Sequence, residues 1–138
     1  MRPPEEVIRE LAREWLVKAD MDLSAAWALL GTGEHSATVA FHAQQAAEKA
    51  LKGFLVWRQV EFPKTHDIKR LLVLCGSVDA DLVGSLAAAA ELTPYGVDYR
   101  YPGDYPPASM EAAESALMIA DRVVASVVER LLAEQPRQ

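Results

Sequence analysis

Several side chains in this 138-residue sequence have the types and spacing to do chemistry. His42, Gln45, Lys49 and Lys52 recur at steps of three, four and three, which aligns them as one stripe along a helix. Imidazole, carboxamide and ammonium groups in a row can hold a phosphate or the edge of a base. Gln44 and Glu48 flank the stripe, and Glu48 precedes Lys52 by four residues, the spacing of a helical ion pair. The same pattern also reads as the wet side of an amphipathic helix whose opposite side is alanine.

A second candidate is Arg100, whose planar set of donors suits phosphate and whose neighbours Tyr99, Tyr101 and Tyr105 can stack on a base. Its competing role is to pair with Asp98 or Asp104 and hold a loop in shape. His66 is followed by Asp67, a carboxylate able to orient an imidazole, although a histidine at a helix start also serves as a cap or packing residue. His35 is expected to face solvent. No glycine-rich phosphate loop is present, and a lone Cys75 leaves neither a disulfide nor a zinc-ligand spacing, so no cofactor or metal is expected.

These groups need helices to position them, and the prolines show where helices can run. Pro3, Pro4, Pro63, Pro94, Pro102, Pro106, Pro107 and Pro136 leave three long stretches without a breaker. In the first, from Pro4 to Leu30, an apolar stripe of Ile8, Leu11, Ala12, Trp15, Ala19, Leu23, Ala26, Trp27 and Leu30 steps by three or four. Gly31-Thr-Gly33 permits a reversal. A second helix, about Glu34 to Arg58, buries Ala40, Ala43, Ala47, Ala50, Leu51 and Phe54. Thr65 or Asp67 then caps a short helix carrying Ile68, Leu71, Leu72 and Cys75. The pattern predicts a fourth helix from Val78 to Thr93, stopping ahead of Pro94, and a loop from Tyr95 to Pro107. A last helix opens near Ser109 and buries Ala113, Ala116, Leu117, Ala120, Val123, Val124, Val127 and Leu131, with a fraying tail after Leu132.

The chain is therefore expected to be all-α: one domain over residues 1–138, folded as an antiparallel up-and-down bundle of four to five helices. A net charge of -6 works against long-range attraction of nucleic acid or anionic lipid, so any phosphate site must be local. The mixed charge after Met1 and the lack of a run of ~20 apolar residues point to a cytoplasmic protein without a membrane span. Trp15, Trp27 and Trp57 are costly to leave wet, which favours a homodimer.

The order of residues carries a further signal. Phe41-His-Ala-Gln-Gln-Ala-Ala-Glu-Lys-Ala-Leu-Lys52 resembles the signature helix of the HEPN family. Pro63-Lys-Thr-His-Asp67 with Leu71 and Leu72 resembles that family's second landmark, and Tyr95 through Arg100-Tyr-Pro102 its third. Trp15, Ala19, Asp22 and Leu23 are also similar to the family's amino-terminal helix. The resemblance implies a bundle of four or five helices, usually dimeric, often found beside a minimal nucleotidyltransferase and acting as a toxin or a nucleotide-binding partner.

Ribonuclease members of that family place a histidine four to six residues after an arginine. Here Arg100 is followed by Tyr101, Pro102, Gly103, Asp104 and Tyr105, and His35, His42 and His66 all precede it. An endoribonuclease reading would therefore need Arg100 on the phosphate with His66 or Tyr105 replacing the absent imidazole. Tyr101 or Tyr105 would be the acceptor if a partner transferred a nucleotidyl group, as the resemblance implies. The leading expectation is a nucleotide-associated binding module of the toxin–antitoxin type, a homodimer working with a nucleotidyltransferase and meeting a nucleotide or RNA through His42, Gln45, Lys49, Lys52, His66, Arg100 and Tyr101. The alternatives are a metal-independent endoribonuclease toxin and a purely structural dimerisation unit.

Overall fold

The computed structural model describes residues 3–97 and 108–133. Helix α1 spans Pro4–Leu30, with Pro4 at the first helical position, where a missing N–H costs no intrahelical bond, and Glu5 and Glu6 at the positive end of the helix dipole. Gly33, at φ 74°, reverses the chain, and the exposed His35 follows in the left-handed region as the N-cap of α2, Ser36–Trp57. Residues 58–67 then return along α2. Asp67 caps α3, Ile68–Gly76, by accepting the Lys69 N–H at 3.0 Å.

The predicted helix from Val78 to Thr93 is instead three short pieces: α4, Ala80–Ser85, a 3-10 segment, Ala87–Leu92, and α5, Thr93–Val97. The apolar spacing explains the change. Leu86, Ala89 and Leu92 are all buried at steps of three, which a 3-10 turn superposes and an α-helix would fan apart. Pro94 does not stop a helix but sits in the first turn of α5, where it has no hydrogen bond to lose. As a result Tyr95 to Val97, expected as loop, are helical. Helix α6 occupies Met110–Ala133, with Ser109 Oγ accepting the Ala112 N–H. Arg100, Tyr101, Tyr105 and the tail after Ala133 lie outside the described residues.

Helices α1 and α2 are antiparallel, because Asp22 meets His42 and Lys49 while Trp15 meets Lys52. Their close approach depends on Gly53, where a Cβ would lie 3.0 Å from Trp15 Cβ and 3.3 Å from the Ala12 carbonyl oxygen. Of the expected α1 stripe, Ala12, Ala19, Leu23 and Ala26 are buried, whereas Leu11 and Trp27 fall on its edges and are exposed. Trp15 and Trp57 are half-buried, Trp15 edge-on to Phe62. The α6 residues from Ala113 to Val127 are buried as the stripe predicts, with Leu131 half-buried.

Helix α2 is the centre of the bundle, packed against α1, α3, α5, α6 and the 3-10 segment. From Ala50 to Leu55 every residue is buried. This overturns the two-sided reading of α2 over its second half: Lys52, placed on the wet stripe by spacing alone, is 8% exposed. Among the described residues no strand is present, and no helix is long and apolar enough to cross a membrane.

Candidate functional site

A charged side chain inside a bundle must be paired and hydrogen-bonded to stay there. Asp22, Gln44, Glu48 and Lys52 are the buried polar residues among those described, and each is bonded. Among the described residues no buried side-chain nitrogen or oxygen lacks a partner. They build two sets with the same plan, a carboxylate bridging an imidazole and an ammonium.

In the first set, α1 supplies Asp22 from within its apolar stripe. Its Oδ1 receives His42 Nδ1 at 2.8 Å and its Oδ2 receives Lys49 Nζ at 2.7 Å. The carboxylate is nearly covered, while the His42 and Lys49 side chains are 28% and 25% exposed. His42 also lies edge-on to Phe41.

The second set centres on Glu48, 3% exposed. Its Oε2 accepts from Lys52 Nζ at 2.9 Å, and its Oε1 accepts from Gln44 Nε2 at 3.0 Å and lies 2.9 Å from His66 Nδ1. Burial pushes the Glu48 carboxyl up, but hydrogen bonds from Gln44, Lys52 and His66 outweigh it and hold the group below its ordinary value. Glu48 is therefore ionised at neutral pH and can only accept, so Nδ1 of His66 carries the ring proton and Nε2 the lone pair. The Lys52 ammonium is also stacked 5.8 Å from the Trp15 ring centroid.

Gln44 ties this set to the rest of the fold. It is fully buried, and its Nε2 also donates to the His66 carbonyl at 3.3 Å while its Oε1 accepts from Gln45 Nε2 at 2.6 Å. Gly96 of α5 packs directly on the Gln44 carboxamide, leaving no space for a Cβ. At 100° per residue, Gln45 lies between the two sets on the α2 surface.

The structure thus gathers His42, Gln45, Lys49, Lys52 and His66 around the solvent-facing side of α2 in two adjoining sets, with Lys52 serving as an internal counterion. His66 is oriented by Glu48 from another element and not by its neighbour Asp67, whose carboxylate is used as the α3 cap. Asp22 and Gln44, the groups that fix the geometry, were not singled out as site residues by spacing. A signal existed: Asp22 continues the Trp15–Ala19 spacing, so a carboxylate stands where the helix turns inward. Two carboxylates balance two lysines here, so with neutral imidazoles the sets carry no net charge. They offer hydrogen-bond donors and one free imidazole edge each.

Elsewhere, Cys75 is buried and its thiol is pushed up to about 12 by burial and by the nearby Asp79 charge, which removes it as a nucleophile. Among the described residues no group of three or more histidine, cysteine or acidic side chains is placed to hold a metal ion.

Comparison with known proteins adds two findings. The HEPN domain profile matches residues 12–131. Among solved structures, the chain is similar to the crystal structure of TT1696 from Thermus thermophilus, 35% identical, covering 86% of this chain and 97% of that one with a TM-score of 0.69. It is also similar to ST0689, an archaeal HEPN homologue, at 25% identity, 87% and 97% coverage and a TM-score of 0.68. No curated protein sequence matches the chain.

Proposed function

The chain belongs to the HEPN domain family, and from that premise we propose that it is a nucleotide-associated binding module, a homodimer that works with a minimal nucleotidyltransferase in a toxin–antitoxin type of pair. The observation that carries this reading is the paired arrangement on α2, where buried Asp22 and Glu48 hold His42, Lys49 and His66 with part of each side chain in water. Preorganised donors around Gln45 suit a phosphate or a base edge, since little side-chain freedom is left to lose on binding. Gly96, in contact with Gln44, precedes Arg100 by four residues in the sequence, which supports a role for Arg100 beside the same network. Val17, Met21 and Trp27 stand exposed on α1 and support self-association.

Titration calorimetry with ATP, AMP and the purified nucleotidyltransferase tests the reading, alongside sedimentation to count subunits. Lys49→Ala and Arg100→Ala should weaken binding about tenfold or more, as expected for loss of a charge-assisted contact, whereas Lys69→Ala on exposed α3 should not. Equal affinities across the three variants, or a monomer at all concentrations, would remove the basis for the site.

One observation favours a second reading, the metal-independent endoribonuclease. The Glu48–His66 pair presents an imidazole lone pair to solvent, which is what a general base needs. RNA cleavage that vanishes in both His66→Ala and Arg100→Ala protein would establish it, and an uncut RNA panel would rule it out.

A further inference from the structure

Each of the three histidines has a different environment. His35 directs Nε2 at the exposed Glu34 carboxylate, 3.8 Å away, and nothing buried fixes its ring. His42 has Nδ1 on Asp22, but it is half as exposed as His66 and is packed against Phe41. His66 alone combines a ring fixed at Nδ1 by a buried carboxylate with a side chain 56% exposed. Glu48 cannot turn away to release it, because Gln44 and Lys52 hold both carboxylate oxygens from inside the bundle. The tautomer is thereby locked with the Nε2 lone pair outward, and the carboxylate behind the ring offsets positive charge that develops when Nε2 forms a bond. Those are the properties of a nitrogen nucleophile.

We propose that His66 is a phosphoryl acceptor, its Nε2 forming a covalent bond to the phosphorus of a small phosphoryl donor while Glu48 holds Nδ1. With phosphoramidate as donor, the Nε2 lone pair attacks phosphorus, the P–N bond of the donor breaks, and ammonia departs with that electron pair. The Nδ1 proton stays on the ring, and the resulting positive charge is balanced by the Glu48 carboxylate. No oxidation or reduction occurs. The step needs neither a bound nucleotide nor RNA, so it stands or falls independently of both readings above.

The experiment is to incubate the intact protein with potassium phosphoramidate at neutral pH and follow intact mass, phosphorus NMR and peptide mapping. One acid-labile phosphoryl group is expected, located on His66, with His35→Gln behaving as wild type and His66→Gln accepting none. Glu48→Gln should slow labelling about tenfold or more, and nitrogen NMR should show the His66 proton no longer confined to Nδ1, a readout that loss of packing alone does not move. Labelling of His35 or His42 at an equal or greater rate than His66 in the wild-type protein overturns the proposal, whatever the folding of the Glu48 variant. So does the absence of any label under conditions that phosphorylate free imidazole.

Discussion

Replacing Glu48 by leucine takes one carboxylate out of the bundle and leaves three donors facing an apolar side chain. Lys52, 8% exposed, loses its counterion, Gln44 loses one of its acceptors, and His66 loses its anchor. Removing one member of a buried ion pair costs about 3–5 kcal/mol, chiefly because the remaining charge is left without compensation. His66 adds little to that figure, since its exposed ring can bond to water. At roughly 3 °C per kcal/mol for a chain of this length, the expected fall in Tm is about 10–15 °C. Urea unfolding followed by circular dichroism measures the change directly. The double variant Glu48→Leu/Lys52→Met should recover most of the loss, because no unpaired charge then remains inside. If Glu48→Leu costs less than about 1 kcal/mol, Lys52 must reach water past Trp15, and the account of α2 as a fully enclosed helix with an internal ion pair is wrong.

Other expected outcomes follow from the same geometry. Glu48 and Asp79 are both held below their ordinary values near 4.5 and 3.8. In each, burial pushes upward but is outweighed, for Glu48 by Gln44, Lys52 and His66 and for Asp79 by the Leu82 N–H and Arg130. A lowered folded-state value means stability that is present above the unfolded value and lost as pH falls through the folded one, so unfolding free energy should decline below about pH 4.5. Glu48→Gln should flatten that acid limb, and an unchanged limb in denaturant titrations would contradict the assignment. Gly96→Ala should destabilise by about 1–3 kcal/mol, because its Cβ displaces the buried Gln44 carboxamide; an alanine variant as stable as wild type would show that α5 does not rest on Gln44. Cys75, buried with its thiol raised to about 12, should resist iodoacetamide in the native protein and react only on unfolding. Prompt labelling of the folded chain at neutral pH would place that residue wrongly.

Much of the architecture is legible in the residues alone, for a physical reason. Helix limits depend on local signals, and Pro4, Gly33, Asp67 and Ser109 act within a turn of their own position, so α1, α2, α3 and α6 emerge with the expected bounds or close to them. The third limb was misread because its continuity depends on what it packs against: Leu86, Ala89 and Leu92 reach the core together only through a 3-10 turn.

The site divides along the same line. The sequence by itself determined that His42, Gln45, Lys49 and Lys52 recur along one helix and that His66 stands near the start of another. Only the tertiary structure decided which of them keep contact with water and which carboxylate each imidazole faces. Spacing along a helix specifies an angle about its axis but not what surrounds it, and α2, enclosed by its neighbours, turns Glu48 and Lys52 inward where a lone helix would leave them wet. Contacts between distant residues, Asp22 with Lys49 and Glu48 with His66, arise when whole helices pack, and no local pattern records them.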